Sequence, residues 1–117
     1  MKAISSDPPM RIGNLFADSA PPTTGERFEI LLSHRNLVVE RIVSFAVDQP
    51  KEYVQQQDEW VALLQGEARL RVGTGTVTLN AGDYLFLPAG MPHTVEQVSA
   101  GAIWLAVHLH PERADNP

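Results

Sequence analysis

From Glu26 onward the chain alternates between short apolar runs and turn signals. The runs are RFEILLS (27–33), LVVERIVSFAV (37–47), EWVALLQ (59–65), EARLRV (67–72), TVTL (76–79), DYLFL (83–87), HTVEQV (93–98) and AIWLAVHLH (102–110). Between them fall DQP, QGE, GTG, NAGD, PAGMP and VSAG. EARLRV alternates strictly, with Ala68, Leu70 and Val72 on one side and Glu67, Arg69 and Arg71 on the other, the period of a half-buried strand. In the second run Val39, Arg41, Val43 and Phe45 share a face. No window of helical length keeps a 3.6-residue apolar period without glycine or proline interrupting it. Eight or so short strands with frequent turns predict an all-β barrel or sandwich.

Outside that region the pattern changes. Residues 1–25 hold four of the nine prolines and little apolar periodicity, which predicts an irregular leader. The barrel is expected over 26–111 and a frayed tail over 112–117. Two strands, EWVALL and AIWLAVHLH, are apolar on both faces. In the latter Trp104, Ala106, His108 and His110 share one face, while Ile103, Leu105, Val107 and Leu109 share the other. Such strands meet the barrel interior on one side and another sheet or subunit on the other. A homodimer that buries Trp60 or Trp104 is the expected consequence; a plain core strand is the alternative for each.

Composition narrows the partners. At 117 residues the chain is one domain's worth, with no cysteine for disulfides or thiolate metal sites. The net charge is −5, and no basic cluster interrupts it. Proteins that bind nucleic acid neutralise phosphates with Lys and Arg, so neither nucleic acid nor an anionic membrane is an expected partner. No segment has the length of a signal peptide's apolar run or a membrane span, and a cytoplasmic location is the default. A small molecule, a metal or another protein remain.

The chemistry concentrates in NAGDYLFLPAGMPHTVEQV, Asn80 to Val98. NAGD is a tight turn in which Gly82 takes positive φ at no steric cost. YLFL is a short strand that Pro88 ends, having no N–H to donate. PAGMP turns the chain back, and His93 opens the next strand, where His93, Val95 and Gln97 are expected on one face. Gly82, five residues, Pro88, one residue, Gly90, two residues, His93, three residues, Gln97 resembles the second motif of the cupin superfamily, with Gln97 where that motif has asparagine. Glu59, six residues and Gly66 match the far end of its first motif. The two histidine positions of that motif fall here on Tyr53 and Gln55, and its opening glycine on Val47. The resemblance covers roughly Leu37 to Pro111 and implies a cupin double-stranded β-helix, a jelly-roll barrel.

In typical cupins these motif positions hold one divalent metal. Carried over, the resemblance implies a set of Tyr53, Gln55, Glu59 and His93. An amide oxygen is a weaker donor than imidazole, and a phenol binds well only when ionised, so Zn, Ni, Fe or Mn would be weakly held. His108 is either a further ligand, an orienting group or chemically idle. His110, nearer the strand's end, and His34, in the turn SHRN, are expected to be plain surface. Glu59 inside a barrel is costly unless paired, hydrogen-bonded or metal-bound; the plainer alternative is a rim ion pair to Arg69 or Arg71. Met91 either lines the cavity mouth or occupies a turn.

Three classes of function fit. One is a metal-dependent oxygenase or isomerase acting on a small organic substrate, with Glu59 and His93 as ligands. Another is a metal-free acid/base isomerase with His93 as general base and Tyr53 or Glu59 as its proton partner. The third is a ligand-binding or sensor module. Without an arginine-lysine cluster a nucleotide-sugar substrate is disfavoured, and the fold alone does not choose among the three.

Overall fold

The computed structural model describes residues 10–46 and 49–112. Val47, the opening position of the first motif, and residues 113–117 of the expected tail lie outside them. Nine strands follow in order: β1 (Glu26–His34), β2 (Leu37–Ser44), β3 (Lys51–Tyr53), β4 (Asp58–Gln65), β5 (Glu67–Val72), β6 (Gly75–Asn80), β7 (Tyr84–Leu87), β8 (His93–Val98) and β9 (Ile103–Leu109). Every pairing is antiparallel, and there is no helix among the described residues. The strands form a five-stranded sheet in the order β1-β2-β9-β4-β7 and a four-stranded sheet in the order β3-β8-β5-β6. Apart from the β1-β2 and β5-β6 hairpins, chain neighbours are split between the two sheets, the layout of a jelly roll.

Each long run of the sequence becomes a strand. The one strand without such a run is β3, three residues long, which pairs Tyr53 with His93. The core lies between the sheets. Val61, Leu63, Trp104 and Ala106 from the larger sheet meet Ala68, Leu70, Leu79 and Val98 from the smaller one. Alternation places Glu40, Ile42, Glu59, Trp104 and His108 on the inner side of the large sheet, since Glu59 pairs with His108 and Ile42 with Trp104.

The expected phase of β8 fails at one point. Leu70 pairs with Val95 but Arg69 pairs with Gln97, so Glu96 is an extra residue in a β-bulge. His93 and Val95 stay inside, whereas Gln97 is exposed. Glu96 faces outward onto Arg69 and Arg71, both exposed. These arginines are therefore committed to Glu96, and the rim ion pair considered for Glu59 does not form.

Between Met10 and Gly25 the chain forms only a turn, at Leu15–Asp18, yet it is fastened down. Arg41, buried on the outer side of β2, donates to the carbonyls of Leu15, Ala17 and Asp18 and to the carboxylate of Glu29. Arg27 adds bonds to the carbonyls of Asp18 and Ala20. A buried guanidinium with this many acceptors is satisfied rather than stranded.

Candidate functional site

The turn after β7 builds the site. Gly90, at φ +80°, donates its N–H to the carbonyl of Gln55 at 2.8 Å, and Ala89 donates to Oδ1 of Asp58 at 2.8 Å. These bonds dock the PAGMP turn onto the segment joining β3 to β4. His93 then enters β8 directly opposite Tyr53, and their rings stack with centroids 5.5 Å apart and planes 16° from parallel.

One cavity of about 80 Å³ opens between the sheets, and Tyr53, Gln55, Glu59 and His93 all line it. Around them stand Glu26, Glu40, His108, Phe28 and Trp104, over an apolar floor that includes Val61, Leu70 and Leu87. The four residues singled out from the motifs thus converge. His110 is exposed beyond β9 and is not among the lining residues; His34 is likewise exposed. Met91 is not a wall residue either; its contribution is a carbonyl near Nδ1 of His93, at 3.3 Å. That contact favours a proton on Nδ1 and leaves Nε2 as the nitrogen available to a ligand.

Glu59 is buried, and its Oε1 has no hydrogen-bond partner. Leaving a buried acceptor unsatisfied costs about 1–3 kcal/mol. Burial raises the pKa of its carboxyl above the usual carboxylate range; the His108 and His93 imidazoles oppose that shift, Glu40 adds to it, and a bond from Gln55 opposes it. The Tyr53 phenol is pushed up to about 12 by burial and by Glu26, whose Oε1 lies 3.5 Å from the hydroxyl. It stays protonated near neutrality.

His108 is an inward-facing histidine with both nitrogens engaged. Nε2 lies 2.8 Å from Oε1 of Glu40, and Nδ1 lies 3.2 Å from the Gln57 amide nitrogen. Its pKa is raised, chiefly by the bond to Glu40, with burial opposing. Glu26, Glu40 and Gln57 went unmarked in the sequence. Glu40 had a signal, a lone carboxylate on the face of β2 opposite Val39, Arg41 and Val43. Trp104 is buried in the barrel wall, which removes it as a candidate for an intersubunit surface.

As a tightly held transition-metal centre this donor set does not fit. Glu59 and His93 are its only strong donors, Tyr53 keeps its proton, and His108 is spent on Glu40 and Gln57. Among the described residues no three His, Cys, Asp or Glu side chains are grouped to hold a metal ion.

Among solved structures, a candidate mannose-6-phosphate isomerase from Ralstonia eutropha JMP134 is 35% identical with a TM-score of 0.79, covering 87% of this chain and 100% of that one. TT1209 from Thermus thermophilus is 25% identical with a TM-score of 0.74, again over 87% of this chain and 100% of that chain. An RmlC-like cupin from Shewanella frigidimarina NCIMB 400 shares the fold at 21% identity and a TM-score of 0.63, covering 82% of this chain and 85% of its own. No curated protein matches the sequence. Residues 42–111 match the family described as Cupin domain. With that match spanning most of the barrel, and with the nine strands folded as a jelly roll around the motif residues, this chain belongs to the cupin family.

Proposed function

We propose that this cupin binds a small organic molecule in its barrel cavity, with Glu59, His93 and Tyr53 as the groups that hold it or exchange protons with it. The observation that carries the reading is Glu59, buried in the cavity wall with one carboxylate oxygen unpartnered. A raised carboxyl pKa and an imidazole with a free Nε2 are suited to passing a proton to and from a bound carbon acid or hydroxyl. Tyr53, protonated and stacked on His93, supplies a neutral donor beside them. Ligand binding is the core of the proposal, and an isomerase is the enzyme class it leads to.

The same unpartnered oxygen favours one second reading, a weakly held Zn, Ni, Fe or Mn ion on Tyr53, Gln55, Glu59 and His93. One experiment separates them. Untagged protein and the His93→Ala variant are analysed for metals and screened against a metabolite library by thermal shift. The expected outcome is metal far below stoichiometry in both proteins and metabolite hits that His93→Ala loses while remaining folded. Hits of equal strength in the variant would overturn the site assignment. Near-stoichiometric metal that the variant loses would establish the second reading.

A further inference from the structure

The charge of the cavity narrows its ligand. Fourteen residues line it; three are the carboxylates Glu26, Glu40 and Glu59, and none is lysine or arginine. His108 in the wall is engaged by Glu40, and the nearest lysine and arginine are turned elsewhere. Lys51 holds its ammonium 5.5 Å from the centre of the Tyr53 ring without lining the cavity, and Arg41 is bound to Glu29 and the leader on the far side of β2. A pocket for phosphate or carboxylate offers guanidinium, ammonium or converging N–H groups. This one offers the opposite sign.

Two polar atoms in the walls are buried without partners, Oε1 of Glu59 and Nε1 of Trp104. Their residues are 6% and 5% exposed, so both atoms sit within the barrel wall. The first lacks a donor and the second lacks an acceptor. Phe28, Tyr53 and Trp104 add aromatic surfaces, which attract cations. The volume, about 80 Å³, is set against the roughly 150 Å³ that accepts benzene in an engineered cavity. It suits a headgroup of roughly three to five non-hydrogen atoms.

Resting on the ligand-binding reading above, we infer that the cavity takes a small hydroxylated amine, its ammonium on Glu59 and its oxygen on the Trp104 indole N–H, and rejects phosphorylated and carboxylated compounds. A sugar phosphate, the substrate class named for the Ralstonia relative, would bring its phosphate among three carboxylates with no lysine or arginine to receive it, His108 being held by Glu40.

The test uses four small probes: 2-aminoethanol, ethylene glycol, glycolate and inorganic phosphate. Each is titrated into nitrogen-15-labelled protein, and the Trp104 indole N–H signal, assigned with Trp104→Phe, is followed. The expected result is that 2-aminoethanol shifts this signal and binds at least tenfold more tightly than glycolate, while phosphate leaves it unmoved. Glu59→Gln should weaken 2-aminoethanol at least tenfold. Glycolate or phosphate binding as well as the amine would overturn the ligand class while leaving the pocket reading intact. A Trp104 signal that no probe moves would overturn the amine inference, and the His93→Ala metabolite screen would then decide the pocket reading by itself.

Discussion

Glu40 and His108 illustrate what single residues do inside this barrel. When His108 is neutral, its Nε2–H donates to Glu40 and its Nδ1 accepts from Gln57; when it is charged, the Gln57 amide must turn its oxygen toward Nδ1. Because the folded pKa is raised, the charged pair adds stability that is fully present below the ordinary histidine pKa and is lost as pH rises through the folded value. The groups facing His108 are Glu40, Glu59, Gln57 and the His110 ring. Glu40→Gln is expected to lower the His108 titration midpoint toward the ordinary value and to flatten stability across that pH window. Proton NMR of the imidazole reads the first effect, and denaturant melts at several pH values read the second. An unchanged midpoint would show that Glu40 does not hold the proton. Residues of this kind were the least legible in the sequence. His93 and Glu59 stood out because glycine and proline spacing marks them. Glu26, Glu40 and Gln57 enter the site only through strand pairing, which no local pattern encodes.

Among the elements, the turn between β4 and β5 is the tightest. Gly66 has φ +95°, and a Cβ there would sit 2.7 Å from Oγ of Ser99 and 2.9 Å from Cβ of Ala102. Gly66→Ala therefore combines a left-handed backbone penalty with overpacking and should destabilise the fold by about 2 kcal/mol or more. Urea denaturation checks this; a loss within a few tenths of a kcal/mol would mean the turn yields easily. That glycine closes the Glu59-to-Gly66 spacing, so its place in the sequence already announced the turn. Strand identity was legible for the same reason, since turn chemistry and alternation are local. Two features were not. β3 is short and has no period of its own, existing because His93 and its neighbours offer a ladder. The β8 bulge follows from how Glu96 meets Arg69 and Arg71 across the sheet, and it reverses the face on which Gln97 lies.

At the scale of the molecule, the large sheet has an acidic inner side around the cavity and an apolar patch on its outer side. Trp60, Tyr84 and Phe86 are 36%, 67% and 55% exposed, and Trp60 lies 5.6 Å from Tyr84, ring centre to ring centre. Outward positions on the neighbouring strand add Leu105, Val107 and Leu109. Its nearest charged neighbours on that face are of opposite sign, Asp58 opposite Leu109 and the buried Arg41 opposite Leu105, so two copies can meet there with little like-charge repulsion. A homodimer through Trp60 is the expected assembly. Sedimentation should give a dimer for the parent and a monomer for Trp60→Glu, and a parent that stays monomeric at every concentration would remove the assembly. No helix among the described residues is long and apolar enough to cross a membrane. The two tryptophans, one on each side of this sheet, also give the protein separate optical channels. In the monomer acrylamide should quench the emission of Trp60 far more than that of Trp104, and pairing should shield Trp60, so Trp60→Phe isolates a dye for the cavity and Trp104→Phe one for the outer face. Filling of the barrel and pairing of the subunits become two colours of one spectrum, and the order in which they occur can be timed in a single mixing experiment.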